Sequence, residues 1–354
     1  MTIELRNVSL RVGAETHIYA NDLTLEAGEF NILLGTTLSG KTTLMRLMAG
    51  LEKPTTGEVW ANGKNVTGMA VQHRSVAMVY QAFINYPSFS VYDNIASPLK
   101  VAGLQKNKID EKVQRFAELL KLTPMLNRLP SELSGGQQQR TALARALVKG
   151  ADLVLLDEPL ANLDYKLREE LRDELPKLFA DTGATVVYAT SEPLEALMLG
   201  GYTATLNEGR VVQFGATSEI YRKPDSLQGA RVFSDPPVNV ATIKKQSNEA
   251  YLGKSVSWPL PEKMSHMPDG EYSIGIRPHH LMPKGDGVEV KGEVQIAEIS
   301  GSESIVRVNV EGNNWVSEAH GIHSYEFGQK ASFYFDPHRC MYFDSNEKLI
   351  DTQV

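Results

Sequence analysis

Apolar positions along the chain follow two different periods. Up to about residue 225, short continuous apolar runs, Phe30-Asn31-Ile32-Leu33-Leu34, Leu153-Val154-Leu155-Leu156 and Thr185-Val186-Val187-Tyr188, alternate with longer stretches of helical spacing. Runs without a polar alternate face predict strands covered on both sides, as in a largely parallel sheet wrapped by helices. Between the first two runs, Ile109, Val113, Phe116, Leu119 and Leu120 fall on one face of a predicted helix, with Asp110 near its positive end. Beyond about residue 230 the period drops to two. Val306, Val308 and Val310 enclose Arg307 and Asn309, and Ala331, Phe333 and Phe335 repeat the pattern. This predicts a small all-β barrel or sandwich, reached through the linker Ser234-Asp235-Pro236-Pro237. The expected organisation is therefore an α/β domain over 1–232, with a helical subdomain at about 88–150, and an all-β domain over 233–354.

Composition narrows the classes. The chain has 354 residues, 42% hydrophobic and 22% charged, which suits two globular domains and neither a disordered nor a membrane-embedded chain. Its 36 Lys plus Arg face 43 Asp plus Glu, a formal net charge of −7, so general affinity for nucleic acid is not expected. A single cysteine, Cys340, allows no internal disulfide and is read as a small buried hydrophobe, consistent with a reducing compartment. Glu4 and Arg6 interrupt any leader-like apolar stretch, and the longest apolar runs are far short of the roughly 20 residues of a membrane helix. His279-His280, His320, His323 and His338 repeat no metal-ligand spacing and are read as surface or loop residues.

Chemistry enters at Gly35-Thr36-Thr37-Leu38-Ser39-Gly40-Lys41-Thr42, followed by Thr43, which fits G-x-x-x-x-G-K-[ST] between a strand and a helix. Backbone N–H groups of such a loop cradle phosphates, Lys41 neutralises their β and γ oxygens, and Thr42 ligates Mg²⁺. The Leu153–Leu156 strand ends in Asp157-Glu158. The first carboxylate is suited to holding Mg²⁺, the second to polarising a water against the γ-phosphate. Leu133-Ser134-Gly135-Gly136-Gln137 supplies a second glycine-rich helix start without a lysine.

With this last motif the chain resembles the ATP-binding cassette (ABC) family, in which the Ser134-Gly135-Gly136-Gln137 signature of one subunit closes over ATP held by the phosphate loop of the other. The resemblance implies that Gln81 senses Mg²⁺ and the membrane partner, and that Ala161-Asn162-Leu163-Asp164 crosses the dimer interface. Tyr86-Pro87-Ser88-Phe89-Ser90-Val91-Tyr92-Asp93-Asn94-Ile95-Ala96 resembles the permease-contacting stretch of carbohydrate-importer ATPases. Gly209-Arg210-Val211-Val212-Gln213-Phe214-Gly215, with Tyr221 and Pro224, resembles the end of their cassette, and Ile274-Gly275-Ile276-Arg277-Pro278 with Phe335-Asp336-Pro337 their C-terminal OB-like (TOBE) regulatory domain. Essentially the whole chain is covered, in the MalK/UgpC carbohydrate-uptake group. Thr37 to Thr43, taken with Tyr188-Ala189-Thr190-Ser191-Glu192-Pro193, most resembles the ATPases of bacterial glycerol importers. That implies a peripheral subunit on the cytoplasmic face of a bacterial inner membrane, binding ATP and Mg²⁺. Its implied partners are a second cassette, two transmembrane permeases and, indirectly, a periplasmic solute-binding protein.

Three positions depart from the family pattern. Ser191 stands where most cassettes place a γ-phosphate-contacting histidine. It offers one neutral hydrogen bond in place of a titratable ring, so a slow site paired with a complete, non-identical cassette is expected. Leu38 replaces a glycine within the phosphate loop. Val12 replaces an aromatic that stacks on adenine; Tyr19 or His17 is a possible substitute, and Tyr19 is equally readable as a packed strand residue. Other readings are a polyamine or ferric-ion importer ATPase and, in a different class, an ATP-binding regulatory subunit without turnover. A soluble cassette acting on DNA or ribosomes would carry a long coiled-coil insert or a second cassette, and the sequence has neither.

Overall fold

The computed structural model describes all residues except 83, 162, 181, 265–266 and 351–354, so Asn162 lies outside the described residues. The chain divides into two compact units, Met1–Ser218 and Glu219–Val354. Among the described residues no helix is long and apolar enough to cross a membrane.

In chain order the first unit contains β1 (Ile3–Val12), β2 (Glu15–Leu25), β3 (Phe30–Leu34), α1 (Lys41–Ala49), β4 (Thr56–Ala61), β5 (Lys64–Asn65) and β6 (Val76–Val79). It continues with α2 (Val91–Val101), α3 (Lys106–Leu119), α4 (Gly135–Val148), β7 (Leu153–Asp157), α5 (Tyr165–Ala180), β8 (Thr185–Thr190), α6 (Pro193–Leu199), β9 (Tyr202–Asn207) and β10 (Arg210–Ala216). Six strands form a sheet of order β10-β9-β3-β8-β7-β6, in which only the β9–β10 pairing is antiparallel. Every residue of β3, β7 and β8 is buried, which is why these strands read as continuous apolar runs. Helix α1 sets Leu44, Met45, Leu47 and Met48 into the core beside Leu33, Leu155 and Val187.

A second, antiparallel sheet, β2-β1-β4-β5, is not evident from the apolar pattern of the chain. Its strands are half-exposed and bulged, with register shifts at Leu5/Val8 and Val8/Leu10 that break the alternation on which strand recognition depends. Helices α2 to α4 occupy the region expected to be helical. Ser90 caps α2 by accepting from Asp93 N at 3.1 Å.

The second unit includes α7 (Thr217–Arg222) from Glu219 onward, α8 (Leu227–Val232), β11 (Asn239–Gln246), β12 (Glu249–Leu252), β13 (Val256–Pro259) and β14 (Gly270–Ile276). It ends with β15 (Val288–Ser300), β16 (Glu303–Val310), β17 (Asn313–His320), β18 (Lys330–Phe335) and β19 (Met341–Phe343). Two sheets, β13-β12-β11-β14-β19 and β17-β16-β15-β18, enclose Trp258, Trp315, Phe333, Phe335 and Tyr342. The Trp315 indole N–H donates to Val240 O at 3.2 Å, so its burial leaves no orphan donor. Cys340 is buried, and its Sγ donates to Asp336 O at 3.3 Å.

Candidate nucleotide site

The turn from β3 to α1 is built by glycines for steric reasons. A Cβ on Gly35 would lie 2.5 Å from Ser39 Oγ and 2.6 Å from Leu206 O, and Gly40 enters the helix with φ 101°. Leu38 sits between them at φ 68°, backbone that costs a non-glycine residue roughly 1–2 kcal/mol. Its side chain is 94% exposed, so the strain remains local.

Lys41 is buried and folds back over this turn. Its Nζ donates to Gly35 O at 2.7 Å and Thr36 O at 3.0 Å, and lies 3.7 Å from Glu158 Oε1. Burial pulls its pKa down, opposed by the charges of Glu158 and Asp157. Thr42 Oγ1 donates to Asp157 Oδ2 at 2.8 Å, and Gln81 Nε2 donates to Glu158 Oε2 at 2.9 Å. Asp157 is 2% exposed, and burial raises its pKa against the lowering effect of the Thr42 bond, with Glu158 adding to the rise. Residues far apart in sequence thus meet: the phosphate loop, Gln81, and the carboxylates that end β7.

A hydroxyl and a carboxylate are the oxygen ligands a hard cation takes. Thr42 Oγ1 and Asp157 Oδ2 lie together as a hydrogen-bonded pair at 2.8 Å, so both oxygens are on hand beside the phosphate loop. These residues fit Mg²⁺, with Gln81 near them through Glu158.

A cavity of about 600 Å³ opens over the group. Thr37, Leu38, Ser39, Gly40, Lys41, Thr42 and Thr43 line it together with Gln81 and Glu158, and the rest of its wall comes from the start of β2 (Glu15, Thr16, His17, Tyr19) and the Glu208-Gly209 turn. Val12, where the family pattern has its aromatic, is not part of the wall, whereas His17 and Tyr19 are.

Ser134, Gly135, Gly136, Gln137, Asp164 and Ser191 lie outside this cavity. Ser134 and Gln137 form a capping box at the start of α4: Ser134 Oγ accepts from Gln137 N at 3.4 Å, and Gln137 Oε1 accepts from Ser134 N at 3.0 Å. Asp164 Oδ1 accepts from Leu167 N at 3.0 Å, at the head of α5. Ser191 is exposed and follows Thr190, whose carbonyl accepts from Gly35 N at 3.3 Å, so it stands beside the phosphate turn.

Two arginines outside every motif also shape this surface. Arg168 Nη1 donates to Glu192 Oε1 at 3.0 Å and its Nη2 to Ala161 O at 3.0 Å, tying the loop after Ser191 to the segment before Asp164. Arg145 stacks over the Tyr86 ring at 4.8 Å and donates to Ile84 O. The one signal of Arg145 in the sequence is a cation among apolar neighbours on α4, where Ala142, Leu143 and Ala144 are buried.

Known proteins place this arrangement. The ABC transporter family matches residues 20–161 and the TOBE domain family residues 274–343. The trehalose/maltose import ATP-binding protein MalK of Thermococcus litoralis is 38% identical, over 94% of both chains. The alpha-glucoside transport ATP-binding protein AglK of Rhizobium meliloti is 36% identical over 97% of both, and the sn-glycerol-3-phosphate import ATP-binding protein UgpC of Pectobacterium atrosepticum 34% over 93% of both. A solved dimeric ATP-binding cassette in a post-hydrolysis state with ADP and Pi superposes with a TM-score of 0.56 at 28% identity, covering 61% of this chain and 98% of that one. A strand–phosphate-loop–helix joined to a β7 carboxylate pair, a glycine-rich capped helix, a TOBE domain and relatives matched end to end make the chain a member of the ABC transport ATPases, in the group of carbohydrate and glycerol-phosphate import subunits.

Proposed function

We propose that the chain is the ATP-binding subunit of an importer of glycerol or a related polyol or sugar, peripheral on the cytoplasmic membrane face, turning MgATP binding and hydrolysis into movement of a permease pair. The observation that carries this reading is the convergence of Lys41, Thr42, Gln81 and Glu158 on one cavity, with Asp157 buried behind its wall and hydrogen-bonded to Thr42. In it, the amides of residues 35–43 receive the phosphates. Lys41 leaves its carbonyl partners for the β and γ oxygens, Thr42 and Asp157 are the residues that would hold Mg²⁺, and Glu158, oriented by Gln81, takes the proton of the attacking water. Mg²⁺ held there would supply charge neutralisation to the phosphates. The nucleotide domain is assigned to 1–232 and the regulatory β domain to 233–354, a boundary read from the sequence; the compact units divide earlier, at Ser218/Glu219. Lys41→Ala is expected to weaken ATP binding tenfold to a hundredfold, on the order of 1.5–3 kcal/mol for a lost charge-assisted contact. Calorimetric titration with MgATP checks this, and unchanged affinity overturns the assignment.

The permease contact is assigned to the segment from Tyr86 to Asn94. Asn94, fully buried, accepts from Tyr86 N at 2.8 Å and donates to Phe89 O at 3.0 Å, holding the segment as a fixed loop. Beside it lies an apolar groove of about 470 Å³ lined by Val79, Tyr80, Ile84, Tyr86 and Val101, with Ile84 61% and Val101 91% exposed. A groove of this character takes an amphipathic helix. Cys340 is buried, so Ser88→Cys adds a single exposed thiol. It is expected to cross-link to cysteines in the permeases' cytoplasmic loops, and no cross-link in an active complex counts against the docking site. The solute is read by purifying the assembled transporter and measuring which polyols, sugars or polyol phosphates stimulate its ATPase. Stimulation by polyamine or ferric ion alone would replace the polyol reading.

Ser191 favours a finer reading, an asymmetric pair in which this chain's phosphate-loop site is slow and a non-identical cassette supplies the complete one. The chain's own Ser134-Gly135-Gly136-Gln137 then closes the partner's active site. A homodimer with two equal sites is the opposing outcome.

A further inference from the structure

The cavity wall has one part that phosphate chemistry does not use, the start of β2. Val12 is 53% exposed and outside the wall, and a branched aliphatic side chain has no π face. Tyr19, 37% exposed, is the only phenol ring in the wall among the described residues, and its backbone N donates to Gly209 O at 3.0 Å. That bond anchors its backbone to the turn whose Gly209 N donates to Ser39 O of the phosphate loop at 2.9 Å. Arg210 packs its guanidinium 3.7 Å from the ring centroid. One face of Tyr19 is therefore covered by a cation and the ring is held in a single orientation.

We propose that Tyr19, backed by Arg210, is the platform on which the nucleobase of the bound nucleotide stacks, so that base recognition in this chain sits on β2 and not at Val12. The inference rests on the reading of the cavity as an ATP site. With the triphosphate on residues 37–43, the nucleoside runs along the remaining wall, past His17, and reaches Tyr19. An aromatic face held at one angle loses little freedom on binding. Its attraction is to the π surface of the base and not to a hydrogen-bonding edge.

Calorimetry on the full chain with MgATP and with inorganic tripolyphosphate in Mg²⁺ separates base from phosphate binding. Tyr19→Ala is expected to weaken ATP about tenfold and leave tripolyphosphate within twofold, the size of one base–aromatic stack. Tyr19→Phe should bind ATP like the parent chain, and Arg210→Gln should weaken ATP a few-fold. Equal loss of both ligands in Tyr19→Ala marks a merely structural role and overturns the inference. So does an unchanged ratio of the two affinities. If the parent chain binds tripolyphosphate and ATP equally, the phosphate site stands and the base platform falls; if it binds neither, the ATP-site reading falls first and takes the platform with it.

Discussion

Gly135→Asp in this chain alone, within the assembled transporter, is expected to lower ATP turnover about 100-fold or more, the effect of spoiling one preorganised anion-binding donor. Glu158→Gln in the same chain should change turnover less than about twofold if the other cassette carries the chemistry. Gly135 is exposed at the first turn of α4, behind the Ser134–Gln137 capping box, so the free amides of that turn face outward. An aspartate there suits the positive end of the helix and leaves the fold intact, yet it sets a negative charge against the γ-phosphate of the opposing subunit's nucleotide. The contrast between the two variants is the informative quantity, read as phosphate release by the complex. In a homodimer with equal sites both abolish turnover. In the asymmetric pair only the first does. A complex that loses activity with Glu158→Gln and keeps it with Gly135→Asp contradicts both arrangements.

What is legible in the sequence and what is not divide along physical lines. The phosphate loop is one contiguous stretch whose glycines are required by local geometry, as the 2.5 Å approach at Gly35 and the φ of 101° at Gly40 demonstrate, so eight residues announce it. Strands β3, β7 and β8 are legible because burial on both faces leaves an unbroken apolar run, and β16 and β18 because a one-sided sheet leaves strict alternation. The β1/β2/β4/β5 sheet is not, since bulges shift its period and many of its residues face solvent. That Thr42, Asp157 and Gln81 meet is expected from their shared Mg²⁺ roles, whereas the hydrogen bonds that join the segments are written in no local pattern. The Thr42–Asp157 bond spans 115 positions and the Gln81–Glu158 bond 77, and both follow only from the strand order of the six-stranded sheet. Arg168 and Arg145 belong to no motif and acquire meaning through the carbonyls they reach.

Ser191→His is expected to raise hydrolysis at this chain's own site about 100-fold, equivalent to about 2.7 kcal/mol of transition-state stabilisation. The loop is prepared for the change. Thr190 Oγ1 donates to the buried Glu195 carboxylate at 2.6 Å and accepts from Glu192 N at 3.0 Å, and Glu192 is paired with Arg168. Residue 191 is thus flanked on both sides by fixed groups while its own side chain stands in solvent, so a larger ring enters without displacing the core. An imidazole reaches further than a hydroxymethyl group and becomes cationic near neutral pH, which a serine does not. The gain should therefore grow as pH falls from about 7.5 toward 6, where the ring of ordinary pKa takes up its proton. Single-turnover hydrolysis in a complex whose partner cassette carries its own catalytic Glu→Gln change reads this site by itself. Parent and Ser191→His complexes that hydrolyse equally fast there would show that Glu158 and Ser191 already suffice. Robust turnover by the isolated chain, abolished by Glu158→Gln, would likewise support a symmetric pair, because a lone species can build its active sites only from two copies of its own phosphate loop and signature.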